Sequence, residues 1–569
     1  MDAPRLPSPS AAALAVQAVG EGARRLVERE WFGTPIHRLA IARPRPDGLA
    51  AHPRDRRPVE PERGRRILGG VFDLAGTELV VGPNGDPFDR PSPNRRFATA
   101  LHRMGWLADL LATGDAGARA GLRLVMDWRR VFGRWNSFSW SPEVLERRVF
   151  NLACAARRLA AGASDAERAF ILEDLARQAR HLADIGQTPE RGLERAVAAG
   201  IAGCALGGEA GERLIDLSIA RLRRDLPQAV SHEGVHASRS PRAGLELLFD
   251  LLTLDDALHQ RGQAGPDDLS RAIDRLSAAS RFFTLPDGRL SAFQGGESAG
   301  PRRMAAALAH EDGDPGPRAR TPHGGYHRLE SPGLTVMVDG GAPARGRWSA
   351  TACAQPAALE IVAGTDRLIV GCAWSADSGA AQALRLTDAA STANLADLST
   401  GEPLRGVAAA ALGPRLVGAP RQVVARRHES DAAAWLEVSH EGWLKRFGLI
   451  HERKLYLDRA ADELRGEDGF LPRAETTLDG PRRYTPFAVR FHLHPDARAS
   501  LARDGKSVLL KGPSEQGWWL RNDAVTVAIE GSLHIEEGLP RRTVQIVLKS
   551  QASADKGGRV RWKLSRAEV

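Results

Sequence analysis

At 569 residues the chain is several times the size of a usual domain, which excludes a single small module and calls for at least two folding units. Hydrophobic residues make up 43% and charged residues 26%, which excludes a disordered or fibrous chain. The net charge of +9 favours an anionic partner, because basic surfaces concentrate polyanions. Arginine, alanine and glycine enrichment also follows from GC-rich coding, so charge alone identifies no polyanion. Nucleic acid is not the expected partner, since no dense Lys/Arg stripe interleaves with aromatics and no zinc-finger spacing occurs.

The N-terminal MDAPRLPSPSAAALAVQAVGEGARRL has an Ala-rich stretch but lacks the basic start and strong apolar run of a secretory signal. No run of about 18 apolar residues predicts a membrane span. Residues 1–65 read as a short helix near 10–30 followed by an extended Pro/Arg-rich segment, ARPRPDGLAAHPRDRRPVEPERGRR, which cannot pack a core of its own. From Leu101 to about Leu308 helical signals follow one another. Ser141-Pro142 supplies an N-cap and a proline at the first helical position, with Val144, Leu145, Val149, Leu152 and Ala156 as the apolar stripe up to Gly162. Ser164 and Glu167 have capping-box spacing ahead of Phe170, Leu172, Leu175 and Leu182. Ser240-Pro241 opens a Leu-rich helix ended by Gly262, and Pro266 opens another. Long helices on short loops pack as antiparallel hairpins, so the predicted architecture is an α/α toroid, an incomplete helical barrel, over 66–315.

EDGDPGPRARTPHGG, 311–325, has no periodicity and reads as the interdomain linker. Strands are predicted after it at Leu334–Val338, Ala357–Val362 and Leu368–Val370, the last two a hairpin about Gly364-Thr365-Asp366, and again at Ala434–Val438, Gly448–Leu457, Ala488–Leu493, Ser507–Leu510, Val525–Ile529 and Thr543–Leu548. So many short strands predict an antiparallel β-sandwich over 316–569. Cys154, Cys204, Cys353 and Cys372 lie far apart with no CxxC pair, which predicts buried free thiols rather than a disulfide framework or zinc knuckle.

Several strings carry a resemblance to the heparinase II/III-like polysaccharide lyases in the form common in alphaproteobacteria. They are HASRSPRAGLELLFDLLTLDDAL (236–258), GGYHRLE (324–330), KRFGLIHERKLYLDRAADELRGED (445–468), RFHLHPDARASL (490–501) and RRTVQIVL (541–548), with GVFDLAG (70–76) and LHRMGWLADLLA (101–112) in support. The resemblance implies a toroid followed by a sandwich, an acidic-polysaccharide cleft between them, and β-elimination. It also implies the cell envelope or periplasm, with the cytoplasm as the alternative because no signal peptide is visible. In β-elimination the C5 proton of a uronic acid is abstracted and the 4-linked oxygen leaves. A donor or cation must neutralise the carboxylate, a base must take the proton, and an acid must protonate the leaving oxygen.

The expected catalytic residues are His236, Arg239, Tyr326 and His440. His232, His236 and Arg239 precede the Ser240-Pro241 helix, whose N-terminus attracts anions, and the resemblance places this loop beside the substrate. A loop-fastening role for His236 and Arg239 is the alternative. Tyr326, flanked by His323 and His327, is one of 3 tyrosines, yet GYHRLE also reads as the first sandwich strand with Tyr326 on one face. His440, in SHEGW, and His451 and Arg453, in HERK, fall on consecutive strands, where relatives face the cleft. Arg453 suits a carboxylate or sulfate, or a structural ion pair. Expected substrate-binding residues are Trp135, Asn136, His451 and Arg453, the first two from the aromatic bunch around Trp128, Arg134 and Trp140, which suits either sugar stacking or packing between helices. His492 and His494 share a face at metal-ligand spacing and read as structural.

The departures from the family pattern are as specific. Relatives carry a histidine where Cys353 stands, another where Ala390 stands, and an aspartate where Gly371 stands. No cofactor is expected, and zinc, used by some relatives, is not expected here because His440 alone cannot hold it. The expected function is cleavage, or binding, of uronate-containing acidic polysaccharide by a lyase-like protein. The alternative is a catalytically impaired polysaccharide-binding relative.

Overall fold

Local capping chemistry starts the helices where the sequence places them. The computed structural model describes residues 11–185, 191–310, 323–473 and 484–567; the expected linker, but for its last residues, lies outside them. Helix Pro142–Ala161 begins after Ser141, which makes no side-chain cap bond, so the proline at its first position sets the start, and it ends at Gly162. Helix Asp165–Asp184 opens on a full capping box, in which the Ser164 hydroxyl accepts from the Glu167 N–H and the Glu167 carboxylate accepts from the Ser164 N–H. Helices Pro241–Gln260 and Asp267–Phe283 follow the two predicted proline starts. One stripe residue departs from expectation: Phe170 is 37% exposed, and Arg129 lies over its ring at 5.2 Å instead of an apolar neighbour burying it.

The chain divides into two compact units, each assembled from separate stretches. The first holds the described residues of 1–229 with Leu247–Ile273 and Leu404–Pro414. Its helices run as antiparallel hairpins, the arrangement of an α/α toroid. In the hairpin of Gly192–Ala205 and Gly208–Ala229 the helices approach so closely that a Cβ on Gly200 would meet the Ser218 Oγ at 2.3 Å and one on Gly203 the Leu214 Cβ at 2.8 Å. The Pro/Arg-rich segment is fastened by charge: Arg57 and Arg147 both donate to Asp250, each at 2.8 Å, in a buried cluster. Helix Ala11–Gly33 packs against the short helix Gly406–Leu412, with Arg25 donating to the Ala410 carbonyl at 2.8 Å. A small hairpin, β1 (Val71–Leu74) and β2 (Thr77–Val80), completes this unit.

The second unit holds Val230–Glu246, Asp274–Pro403 and 415–569. Its strands are β3 (Tyr326–Glu330), β4 (Leu334–Asp339), β5 (Leu359–Ala363), β6 (Asp366–Val370), β7 (Ala393–Leu395), β8 (Glu402–Pro403), β9 (Leu416–Val417), β10 (Val423–Glu429), β11 (Ala433–His440), β12 (Leu449–Asp458), β13 (Glu463–Pro472), β14 (Tyr484–Leu493), β15 (Arg498–Leu501), β16 (Val508–Lys511), β17 (Gly517–Asn522), β18 (Thr526–Glu536), β19 (Leu539–Ser553) and β20 (Gly558–Arg566). Two antiparallel sheets form, one in the order β10-β11-β12-β13-β20-β17-β16-β15, the other β18-β19-β14-β6-β5-β4-β3 with β7 also on β14. Period-two alternation turns Leu436, Leu455, Leu464 and Leu564 of the first sheet inward, where they meet Val336, Ile361, Phe491 and Ile546 of the second in one core; β4, β5 and β6 of the second sheet are buried throughout. The predicted β-sandwich is formed, with hairpin β5-β6 turning at Gly364.

Candidate functional site

The connection after helix Asp267–Phe283 runs along the β3–β6 sheet and closes a narrow cleft. Ala292 to Gly296 form one wall, and Cys353, Gln355, Ala358, Gly371, Ala373, Trp374, Ala390 and Ser391 line the rest. Gln294 (φ 48°) and Gly295 (φ 76°) are both left-handed, which kinks the wall; a side chain on Gly295 would meet the Thr351 carbonyl oxygen at 2.2 Å. The Gln294 amide then spans the kink, donating to Asp339 Oδ2 at 2.8 Å and accepting from the Cys353 N–H at 3.0 Å.

Cys353, Gly371 and Ala390, the three positions where the resemblance leads to other side chains, converge on one cavity. Among its lining residues only Cys353 is titratable, and burial pushes its thiol up to about 11, so it stays protonated at neutral pH. The polar liners are turned to internal work. Gln355 donates to the carbonyls of Leu384 and Leu386, Ser391 donates to Val370 and accepts from the His492 N–H, and the Trp374 indole donates to Ala380. The cleft presents small and apolar walls with no side chain poised as a base.

None of the four sequence-predicted catalytic residues lines it. Arg239 and Tyr326 are brought together with Asp339 in the second unit. Arg239 donates to Asp339 Oδ1 at 2.6 Å and to the carbonyls of Gly324 and Ala342, and its guanidinium lies 4.5 Å from the Tyr326 ring centroid. The Tyr326 hydroxyl donates back to the Arg239 carbonyl at 2.7 Å. That bond holds Arg239 at φ 63°, an uncommon conformation for a side-chain-bearing residue. Tyr326 is fully buried, and burial, with Asp339 adding to it, pushes the phenol well above its ordinary range. Its hydroxyl ties the strand to the loop. Tyr326→Phe is accordingly expected to cost about 1–3 kcal/mol by leaving the Arg239 carbonyl unpaired; urea unfolding measures it, and an unchanged midpoint would contradict the tie. His236, buried, hydrogen-bonds Ser238 Oγ at 2.7 Å and meets the Trp348 ring edge-to-face.

His440, His451 and Arg453 form a second buried cluster, on strands whose register sets His440 opposite His451. The Gly442 N–H donates to His440 Nδ1 at 3.2 Å, so the proton of neutral His440 sits on Nε2 and is given to His451 Nδ1 at 3.1 Å. His451 in turn donates from Nε2 to Asp468 Oδ1 at 3.1 Å, and Arg453 grips both carboxylate oxygens, Oδ1 through Nε at 2.7 Å and Oδ2 through Nη2 at 3.2 Å. Burial above all, then His451 and Arg453, lowers His440 well below its ordinary range, so the chain of protons is fixed and neutral. Arg453 also donates to the carbonyls of Ala357 and Ser391, which places the backbone at the cleft floor. The cluster supports the cavity from behind and offers no exposed base.

Trp135 and Asn136 belong to the first unit. The Asn136 carboxamide is spent on a turn, accepting from Phe138 and Ser139 N–H and donating to the Ser139 hydroxyl, while Trp135 lies half-buried against Phe32. Trp128 and Trp140 are buried around the Arg148 guanidinium. His492 bonds Ser532 and the Asp388 carbonyl, whereas His494 faces Asp496 and His534. Among the described residues no three His, Cys, Asp or Glu side chains gather as a metal site, and no helix is long and apolar enough to cross a membrane. Gln294, Asp339, Trp374 and Asp468 organise both sites without having been singled out, although Asp468 ends one of the strings that carry the resemblance.

Comparison with known proteins agrees with this architecture. The family model for the heparinase II/III-like C-terminal region matches residues 313–563. FtsZ-localized protein C of Caulobacter vibrioides (strain NA1000 / CB15N) is 59% identical over 544 residues, covering 95% of this chain and 94% of the relative. Among solved structures, Heparinase III aligns with a TM-score of 0.64 at 12% identity over 86% of this chain and 80% of that one. A heparan sulfate lyase HepC mutant from Pedobacter heparinus aligns with a TM-score of 0.57 at 14% identity over 94% and 87%. At such identities these two report a shared fold.

Proposed function

The chain belongs to the heparinase II/III-like family, and from that premise we propose that it is a non-cleaving member, a lyase fold that binds acidic, uronate-containing polysaccharide and has lost the elimination chemistry. The single observation that carries this is the convergence of Cys353, Gly371 and Ala390 on one cleft whose remaining polar groups are all bonded internally. Elimination needs a base that accepts a proton near neutral pH. A thiol held up at about 11 is a poor one, and Tyr326 and His440 are buried in fixed hydrogen bonds.

The test is incubation with heparin, heparan sulfate, chondroitin sulfate, hyaluronan and alginate, followed by ultraviolet absorbance of the unsaturated uronate and, separately, by calorimetric binding. Binding without a rise in absorbance is expected. A sustained rise that survives repurification would restore the cleaving alternative.

The relative that is 59% identical over almost the whole chain bears the name FtsZ-localized, which supports a second element of the reading: this chain, too, concentrates where FtsZ does. A fluorescent fusion imaged together with labelled FtsZ is expected to coincide with it. A uniform signal would remove this element and leave the account of the cleft untouched.

A further inference from the structure

The outer face of the β10–β15 sheet carries residues that neither the core nor the cleft uses. Cross-strand register sets His428, Trp435, Tyr456, Arg465, Lys563 and Arg521 in one row over β10, β11, β12, β13, β20 and β17. Their alternate neighbours Leu436, Leu455, Leu464, Leu564 and Leu520 are buried, so the row points away from the core. Trp435 is 42% exposed and meets Tyr456 edge-to-face at 5.9 Å. Arg465 lies over Tyr456 at 5.7 Å, and Arg521 over Trp519, one alternation along β17, at 5.5 Å. The row thus has an indole near each end and cations between. With strands about 4.8 Å apart, the four steps from Trp435 to β17 span about 19 Å, room for several pyranose rings in an extended chain.

The cations of this face cluster on β13, β20 and β17. Arg465 and Lys563 share Glu463, at 2.6 and 2.9 Å, while Arg561 and Arg559 share Glu467, at 2.8 and 3.9 Å. Each carboxylate is divided between two cations, and Asp458 stands near Arg465 and Asp523 near Arg561. Arg521 adds a further charge, touching the Ser565 hydroxyl at 3.4 Å with Asp504 nearby. A surface with aromatic rings and outward guanidinium and ammonium groups is complementary to a polymer of sugar rings bearing carboxylates, whose rings stack on the aromatics and whose carboxylates pair with the cations.

We propose that this outer face is a second binding surface, on which an acidic polysaccharide chain lies across the strands from Trp435 to Trp519. The proposal rests on the reading that the protein handles acidic polysaccharide, and it adds a platform distinct from the cleft. The experiment uses the full chain with uronate disaccharides and longer uronate oligomers, with neutral dextran and polyglutamate as controls. Trp435→Ala and the pair Arg521→Ser/Lys563→Ser alter exposed side chains, so unchanged melting temperatures should accompany them. Each is expected to weaken binding of the longer oligomer by about tenfold and to leave disaccharide binding in the cleft unchanged. Disaccharide binding that is absent from every protein, with Trp435-dependent binding of the longer oligomer intact, would sink the cleft as a sugar site and uphold the platform. The platform is overturned if longer oligomers bind both variants as tightly as the parent. It is equally overturned if only the cation pair matters, or if polyglutamate binds as tightly as the oligomer, which would make the face a site for acidic protein.

Discussion

Acidification from neutral pH to about pH 4 is expected to unfold the protein, because many of its histidines are buried uncharged. Burial lowers His327, His492, His494 and His534 to about 4, and His102 and His181 to about 3; His440 and His451 are lowered as well. A histidine whose pKa is depressed in the folded state contributes stability that is fully present above its unfolded value of about 6.5. Below that value the unfolded chain takes protons that the folded chain refuses, so stability falls until the folded pKa is reached. A drop from 6.5 to about 4 corresponds to about 3 kcal/mol per histidine. Several such groups together exceed the net stability of about 5–15 kcal/mol typical of folded proteins. Melting temperatures measured from pH 7 downward should decline steeply from about pH 6.5. A flat profile to pH 4.5 would show that these rings reach solvent or gain carboxylate partners.

The largest single-residue effect is expected at Asp468. Its oxygens hold Arg453, His451 and the Trp562 indole N–H, the last at 2.9 Å, and the ionised groups are fully buried. Burial alone would raise the carboxyl, but Arg453 and His451 outweigh it and hold it far below the usual carboxylate range. Asp468→Ala leaves a guanidinium in the core without its counter-ion, a change worth about 3–5 kcal/mol. Denaturant unfolding should show this loss. The double replacement Asp468→Leu with Arg453→Met removes both charges and should recover part of it. A single variant as stable as the parent would mean that Arg453 finds water or another anion, and that the cluster does not hold the cleft floor.

Much of the fold was legible because its signals are local. Ser141-Pro142, the Ser164–Glu167 box and the Gly364 turn act within a few residues, and each lies where the sequence implied. Strands β13 and β20 went unread because their inner faces include Gly466, Asp468 and Trp562. Glycine weakens the alternation, and a buried aspartate breaks it until its partners on other strands are known. The cleft was half legible. The resemblance singles out Cys353, Gly371 and Ala390, whereas the Gln294–Asp339–Arg239 linkage joins residues that only folding brings together. The same limit applied to Tyr326 and His440. Their residue types suited proton transfer, and only burial and hydrogen-bond direction show those groups already engaged.

The assembly of the first unit from stretches that end at Pro414 also governs the order in which the protein can be made. A ribosome releases the helix Ala11–Gly33 early, but its packing partner Gly406–Leu412 emerges only after β3–β8 have left the tunnel. Through most of synthesis that helix has Trp135 and His181 to receive Phe32 but lacks the carbonyl of Ala410 that Arg25 will reach. The nascent chain therefore passes through a long interval in which this helix is held at its Phe32 end alone, when a chaperone would have most to hold.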